Sequence, residues 1–309
     1  MTAWRPTAGA EMLRRRAEML HEIRVFFHER GVCEVQTPLL TRFGITDVNI
    51  DSLAVARTGE FLRTSPEYCH KRLLASGFGD LYELGPVFRA GESGRWHRTE
   101  FTLLEWYRIG WDWRHLALEV LDLIRRCAGV DEGETVRWLD WRDAFAALDD
   151  LDPQRCDLAE LRRLCPELEG DCDRDMLLDY LLAARIQPGF PAGTLTVLHG
   201  FPASQAALAR LDPTDPGRAE RFEVFLGPIE LANGYRELTD PAVQRGRFEA
   251  DTRRRAALNH VPMPIDERLL SAMRHGLPEC AGVALGVDRL LMAIEGCDDI
   301  AAVQAFADG

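Results

Sequence analysis

The sequence predicts an α+β fold, a central antiparallel sheet flanked by helices. Three observations lead to it. Leu81–Arg89, rich in Leu, Tyr, Val and Phe, and Phe101–Tyr107 read as strands joined by the polar, glycine-bearing stretch Ala90–Thr99. Phe222–Leu226 and Ile229–Leu231 make a second hairpin around Gly227–Pro228. Ala10–Arg30 and His115–Ala128 carry apolar residues at helical spacing, one before the first hairpin and one between the two.

Composition bounds the function. The chain has 309 residues, 46% hydrophobic and 28% charged, ample for a large core. A net charge of −13 argues against gripping a nucleic-acid backbone, which usually takes a basic face. It predicts solubility and a preference for basic partner surfaces. The eight cysteines include no CxxC pair, the first ten residues are polar and contain Pro6, and no apolar run approaches a membrane span. Reduced thiols, a cytoplasmic location and no membrane partner are therefore expected.

In order, Leu13, Ala17, Leu20, Ile23 and Phe27 give the first helix its apolar face, and Gly31 ends it. Val32–Leu40 reads as a strand broken by Pro38, suited to an edge, a bend or a subunit boundary. Phe61–Lys71 passes from strand into helix, with Ser65 at the N-cap, Pro66 in the first turn and Glu67 where the helix dipole favours a carboxylate. In Phe101–Tyr107, alternation puts Phe101, Leu103, Glu105 and Tyr107 on one face and Thr102, Leu104, Trp106 and Arg108 on the other. That first face suits gripping a cation and stacking a base, but also a plain hairpin with a surface ion pair. Arg89, at the end of the partner strand, can clamp a phosphate.

Between the hairpins, Asp149, Asp150, Asp152 and Pro153 mark a turn, and Leu158–Leu164 and Asp175–Ala184 read as helices. Leu195–Leu198 reads as a strand. Asp171–Asp175 lacks a calcium-loop pattern and fits a solvated helix start. The second hairpin sets Glu223 diagonal to Glu230, a pair that can hold magnesium or be relieved by an arginine. Glu237 has the wrong parity to join Glu230 unless Asn233–Gly234 makes a bulge. Finally, Cys280–Glu295 reads as a glycine-bearing strand opening a helix, too far from the G-x-G-x-x-G spacing for a Rossmann unit.

Three of these pieces occur together: a helix with a proline-ended strand, FR…HRTEFTLLEWY, and GVALGVDR. They resemble the three signature motifs of class II aminoacyl-tRNA synthetases. TSPEY, EFTLLEWY and IELANGYREL are most similar to lysyl-tRNA synthetase. The motifs begin close to Met1, leaving no room for the anticodon-binding barrel of those enzymes. The chain thus resembles their truncated paralogues, which attach lysine or (R)-β-lysine to a lysine side chain of translation elongation factor P. The expectation is one synthetase-like catalytic domain over residues 1–309, with a mostly helical insertion at about 129–193.

The resemblance implies roles, residue by residue. Arg89 and Arg289 are the catalytic arginines, on the α-phosphate and on the adenine or γ-phosphate. Phe101 stacks on adenine, and His97 lies near the triphosphate. Gly286 lets the backbone approach ATP, and Glu230, Leu231 and Asn233 line the nucleotide site. Glu223 and Glu230 hold Mg2+. Ser65 and Glu67 bind the substrate's backbone amine, with Pro66 between them in the substrate site, while Glu105, Tyr107 and Glu237 surround its side-chain ammonium. Ala284 stands where the synthetases usually have glycine, a change associated with accepting the β-amino acid. Gly91 stands where the family often has glutamate, so that Glu92 follows one place late, and Arg98 replaces an asparagine that touches ATP. The implied chemistry is adenylate formation from ATP followed by transfer to an amine, without tRNA, in a homodimer joined through Val32–Leu40. A minimal lysyl-tRNA synthetase and a non-catalytic regulatory paralogue are the alternatives.

Overall fold

The computed structural model describes residues 4–130, 135–148 and 151–307. Helix α1 (Ala10–Glu29) buries Met19, Ile23, Phe26 and Phe27, and Gly31 leaves it in the left-handed conformation at φ 67°. The expected strand Val32–Leu40 is reduced to β1 (Cys33–Glu34) and β2 (Leu40–Thr41). Pro38 has no amide for a ladder, and the Thr37 amide is drawn to the Glu83 carboxylate instead. With β3 (Ala54–Val55) and β4 (Glu60–Leu62), β2 forms a small sheet in the order β2-β4-β3.

Helix α2 (Glu67–Ala75) starts one residue after Pro66, and the Ser65 hydroxyl accepts the Glu67 amide at 3.0 Å. Strands β5 (Leu81–Phe88) and β6 (Glu100–Ile109) pair antiparallel as expected. Helix α3 (Trp113–Ala128) begins two residues earlier than its apolar pattern, because Asp112 caps the amides of Arg114 and His115. Then follow β7 (Arg137–Asp140), α4 (Trp141–Ala144), α5 (Leu158–Leu164), α6 (Arg174–Leu181) and β8 (Leu195–His199). Asp173 caps α6, which explains the acidic tract. Of the expected turn, Asp149 and Asp150 lie outside the described residues. The chain closes with β9 (Arg221–Leu226), β10 (Ile229–Arg236), α7 (Pro241–Ala257), α8 (Glu267–Gly276), β11 (Cys280–Gly286) and α9 (Val287–Ile294).

The large sheet has the order β1-β5-β6-β11-β10-β9-β8-β7. Its inner pairings are antiparallel, but both edge pairings, β1 with β5 and β7 with β8, are parallel. Strand β7 is contributed by the stretch read as helical, where RWLD is too short and half-exposed to show alternation. One sheet face, with Leu104, Trp106, Phe222, Val224 and Leu285, packs on α1, α3 and α9 to form the main core. On the opposite face, Leu81 and Tyr107 pack with Leu74 of α2, Phe248 of α7 and Leu269 of α8. A separate cluster seats Trp141, Phe145, Leu161 and Leu177 on Leu198 and Phe225 at the far edge. The sheet face opposite the main core is left open between these packings.

Candidate active site

That open face is a cleft of about 1280 Å³ including its mouth. Its floor follows from strand alternation: Phe101, Leu103, Glu105 and Tyr107 of β6 all line it. Strand β10 reaches the same face by a device the parity argument misplaced. The bulge falls at Leu231, between the pairs Glu230–Phe225 and Ala232–Val224, not at Asn233–Gly234. The extra residue turns Asn233, Tyr235 and Glu237 to the side occupied by Glu230, and all four line the cleft. A side chain at Gly234 would strike Phe222 and Val283, so that glycine serves close strand packing.

The deep end is acidic. Glu105 accepts the Ser65 hydroxyl at 2.7 Å and the Tyr107 hydroxyl at 2.9 Å. Glu67 and Glu237 share the buried ammonium of Lys71, at 2.6 and 2.7 Å. Burial pushes the Glu67 and Glu237 carboxyls up, and Lys71 opposes the shift. Burial would lower the Lys71 pKa, but its two carboxylates outweigh that and keep it charged. Behind Glu105, His70 Nε2 lies 3.0 Å from Glu83, which also binds Arg63 at 2.6 Å. A Cβ at Gly282 would collide with the Tyr107 ring and Glu237, so only glycine fits beneath this end.

The outer end is cationic and aromatic. The Arg89 guanidinium lies 5.1 Å from the Phe101 ring centroid and 3.5 Å from Glu92, and its buried Nε has no hydrogen-bond partner. Arg289 reaches across from α9, where it donates to the Trp96 carbonyl at 3.1 Å. The preceding Asp288 fixes the start of α9 by accepting the Thr102 amide at 2.6 Å and pairing with Arg16 at 2.7 Å. Burial, then Arg289, lowers the His97 pKa, so this imidazole is neutral at neutral pH. Glu230 faces Arg289 loosely, at 3.9 Å.

Ser65, Glu67, Arg89, Glu92, His97, Arg98, Phe101, Glu105, Tyr107, Glu230, Leu231, Asn233, Glu237, Ala284, Gly286 and Arg289 all line this one cleft. Three expected residues do not. Pro66 turns to a neighbouring groove, because it shapes the entry to α2. Gly91 serves the turn with φ 77°. Glu223 is drawn back by Arg221 at 2.6 Å and Asn233 at 3.2 Å. Ser65 gives its only proton to Glu105, so its hydroxyl holds the carboxylate that faces the cleft. Arg98 lines the cleft while paired with Asp299 at 3.2 Å.

The sequence reading missed Lys71, His70 and Gly282. Lys71 was within reach, since it stands four residues after Glu67 on one helix face. Gly282 had no local signal, because its neighbours come from β6 and from beyond β10.

Among the described residues, no helix is long and apolar enough to cross a membrane. Curated relatives match the chain over nearly its whole length. The protein named elongation factor P–(R)-β-lysine ligase in Photorhabdus laumondii is 44% identical, with 98% of this chain and 97% of that protein covered. The proteins of the same name in Vibrio cholerae and Edwardsiella ictaluri are 42% and 43% identical, covering 98% and 99% of this chain and 97% and 98% of theirs. Residues 1–308 match the family described as tRNA synthetases class II (D, K and N). With its largely antiparallel sheet, Arg89 just after β5 and Arg289 of α9 lining one cleft, and these relatives matched over nearly their whole length, the chain belongs to the class II tRNA synthetase family.

Proposed function

We propose that this protein is an ATP-dependent ligase that activates lysine or (R)-β-lysine as an adenylate and transfers it to a lysine side chain of translation elongation factor P. The observation that carries the reading is the polarity of one cleft. Its acidic end suits a diamino acid, and its arginine and aromatic end suits a nucleotide. A buried ammonium needs opposing charge and acceptors, which Glu105, Glu237 and Tyr107 supply. The full-length relatives support the acceptor and the amino acid.

In the first step an oxygen of the amino-acid carboxylate attacks the α-phosphorus of ATP. A P–O bond forms and the bond to pyrophosphate breaks. Arg89, whose Nε is free, neutralises charge at the α-phosphate, and Arg289 closes over the nucleotide from the opposite side. In the second step a neutral amine of the acceptor attacks the adenylate carbonyl: the C–N bond forms, the acyl C–O bond to AMP breaks, AMP leaves, and the amine gives up one proton to solvent.

Glu230 and Glu223 fit a magnesium ion in part. They share a face; burial, and after it the charge of Glu230, push the Glu223 carboxyl up to about 7 against the pull of Arg221, a shift that a divalent cation would oppose. Among the described residues no set of three or more His, Cys, Asp or Glu side chains could hold a metal by itself. Such an ion would take its other ligands from water and phosphate oxygens, and would add charge neutralisation at the triphosphate.

The working unit we propose is a cytoplasmic homodimer joined around Val32–Leu40, with the chain serving as one catalytic domain and without tRNA as acceptor. A monomer in sedimentation at micromolar concentration would remove the dimer. ATP–pyrophosphate exchange with each lysine isomer tests activation, and label transfer to purified elongation factor P against bulk tRNA tests the acceptor. Exchange with neither isomer would sink the enzyme reading; transfer to tRNA alone would replace the acceptor.

A further inference from the structure

Glu105 has a buried imidazole behind it, in addition to its two hydroxyl donors, Ser65 and Tyr107. His70 is fully buried on α2, with Nε2 3.0 Å from Glu83 Oε2 and Nδ1 3.6 Å from Glu105 Oε1. Glu83 accepts four donors: the Thr37 amide and hydroxyl, Arg63 Nη1 and His70. A carboxylate so supplied stays ionised and acts only as an acceptor. The His70 Nε2 facing it therefore carries hydrogen. On the other side of the ring, Glu105 Oε1 already accepts the Tyr107 proton. A neutral ring would turn a lone pair toward that oxygen, whereas an imidazolium turns an N–H. Nδ1 makes no hydrogen bond, but it faces Glu105 Oε1 at ion-pair distance, so a carboxylate oxygen stands on each side of the ring, a setting that favours the charged histidine.

Glu105 itself opens on the cleft, where the reading above places the substrate's side-chain ammonium. One carboxylate then stands between two cations. The imidazolium and the incoming ammonium repel one another, and only the imidazolium is a strong enough acid to lose its proton near neutral pH.

We propose that His70 is a positioning residue for amino-acid recognition: it holds Glu105 as counter-charge in the empty site and releases its Nδ1 proton to solvent when the substrate's ammonium binds. The inference rests on the proposed activation of a diamino acid. The proton leaves by way of Glu105 and the cleft, and no other bond changes.

The surroundings of the ring agree. Glu83, backed by Arg63, faces it from β5, and Glu105 and Tyr107 face it from β6. Its own helix adds Glu67 and Lys71, with Glu237 beyond Lys71. Asp266, at the start of α8, acts on the neighbouring Cys69. Burial would lower the His70 pKa, and the Glu105 and Glu83 carboxylates outweigh it and hold it above its ordinary value.

The test is the KM for lysine and for β-lysine in ATP–pyrophosphate exchange between pH 6 and 8, in wild type and His70→Gln. The sign follows from competition: in the wild type the amino-acid KM falls several-fold as pH rises, while the KM for ATP does not follow it. His70→Gln keeps a donor toward Glu83 and has no proton to release, so its amino-acid KM stays flat within about twofold. A second measurement needs no variant. Calorimetry of amino-acid binding to the wild type at pH 6.5, in two buffers of different ionisation enthalpy, should report a fraction of a proton released. A flat wild-type profile, a slope retained in His70→Gln, or zero proton release would each overturn the role of His70 while leaving exchange intact. Absence of exchange with both isomers would instead overturn the enzyme reading beneath it.

Discussion

At the scale of single residues, the deep end of the cleft tolerates little change. Lys71 neutralises two carboxylates at once. Removing one partner of such a buried set leaves charge without compensation, so Lys71→Met should destabilise the fold by about 3–5 kcal/mol. Urea unfolding of wild type and variant checks this; a change below the error of the method would mean that the carboxylates neutralise by protonation at little cost. Gly282 is constrained by space. Its missing Cβ is where the Tyr107 ring and Glu237 stand. Gly282→Ala should displace both, raising the amino-acid KM at least tenfold while the KM for ATP changes little. At the other end, Arg89→Ala should cost about 10²–10³ in kcat of the exchange reaction, because a preorganised charge at the reacting phosphate is lost. A loss of affinity for ATP with kcat unchanged would point to mere ground-state binding.

At the scale of elements, two local devices aim the side chains. In α2, positions 67, 70 and 71 fall on one face, three and four residues apart, so one helix delivers a cleft carboxylate and the two cations behind the floor. In β10, the bulge at Leu231 reverses the alternation. Deleting Leu231 should restore a regular ladder and turn Asn233, Tyr235 and Glu237 away from the cleft. Such a variant, if its far-ultraviolet circular dichroism is native-like, should lose exchange activity altogether; retained activity would show that these three side chains are dispensable. Much of this level was legible. The hairpin β5–β6, the face shared by Phe101, Glu105 and Tyr107, and the glycine strand opening α9 follow from periodicity and turn residues. The bulge was anticipated but misplaced, because local chemistry favours the glycine at 234, whereas that glycine is needed for close packing on Phe222 and Val283 and cross-strand pairing sets the bulge at Leu231.

At the scale of the whole molecule, the sheet separates stability from chemistry. One face is closed by α1, α3 and α9, and the other carries the polar site between α2, α7 and α8. The buried charges of that second face couple folding to pH. Burial alone would raise the Glu83 pKa, but His70, the Thr37 amide and Arg63 hold it down to about 2. A carboxylate with a depressed pKa contributes stability that is present above its unfolded value and lost as pH falls through the folded one. The protein should therefore lose stability from about pH 4.5 toward pH 2, and Glu83→Gln should flatten that part of the profile. Denaturant midpoints across this range would test it; an unchanged acid limb in the variant would assign the loss to other carboxylates. The charge of −13 also bears on partners, since an acidic surface repels an RNA backbone more than it repels a protein.

By itself the sequence determined the two hairpins, the helices beside them and the face of β6 that carries Glu105, because alternation, capping and turn chemistry act within a few residues. It also carried the family resemblance, which needs only motifs in order. Only the tertiary structure decided which charges meet. Lys71 between Glu67 and Glu237, Ser65 and His70 on Glu105, and Gly282 beneath Tyr107 join residues from α2, β6, β10 and β11. The parallel edge strand β7 and the position of the bulge are of the same kind. Each depends on register between segments distant in the chain, and register is set by packing rather than by any local pattern.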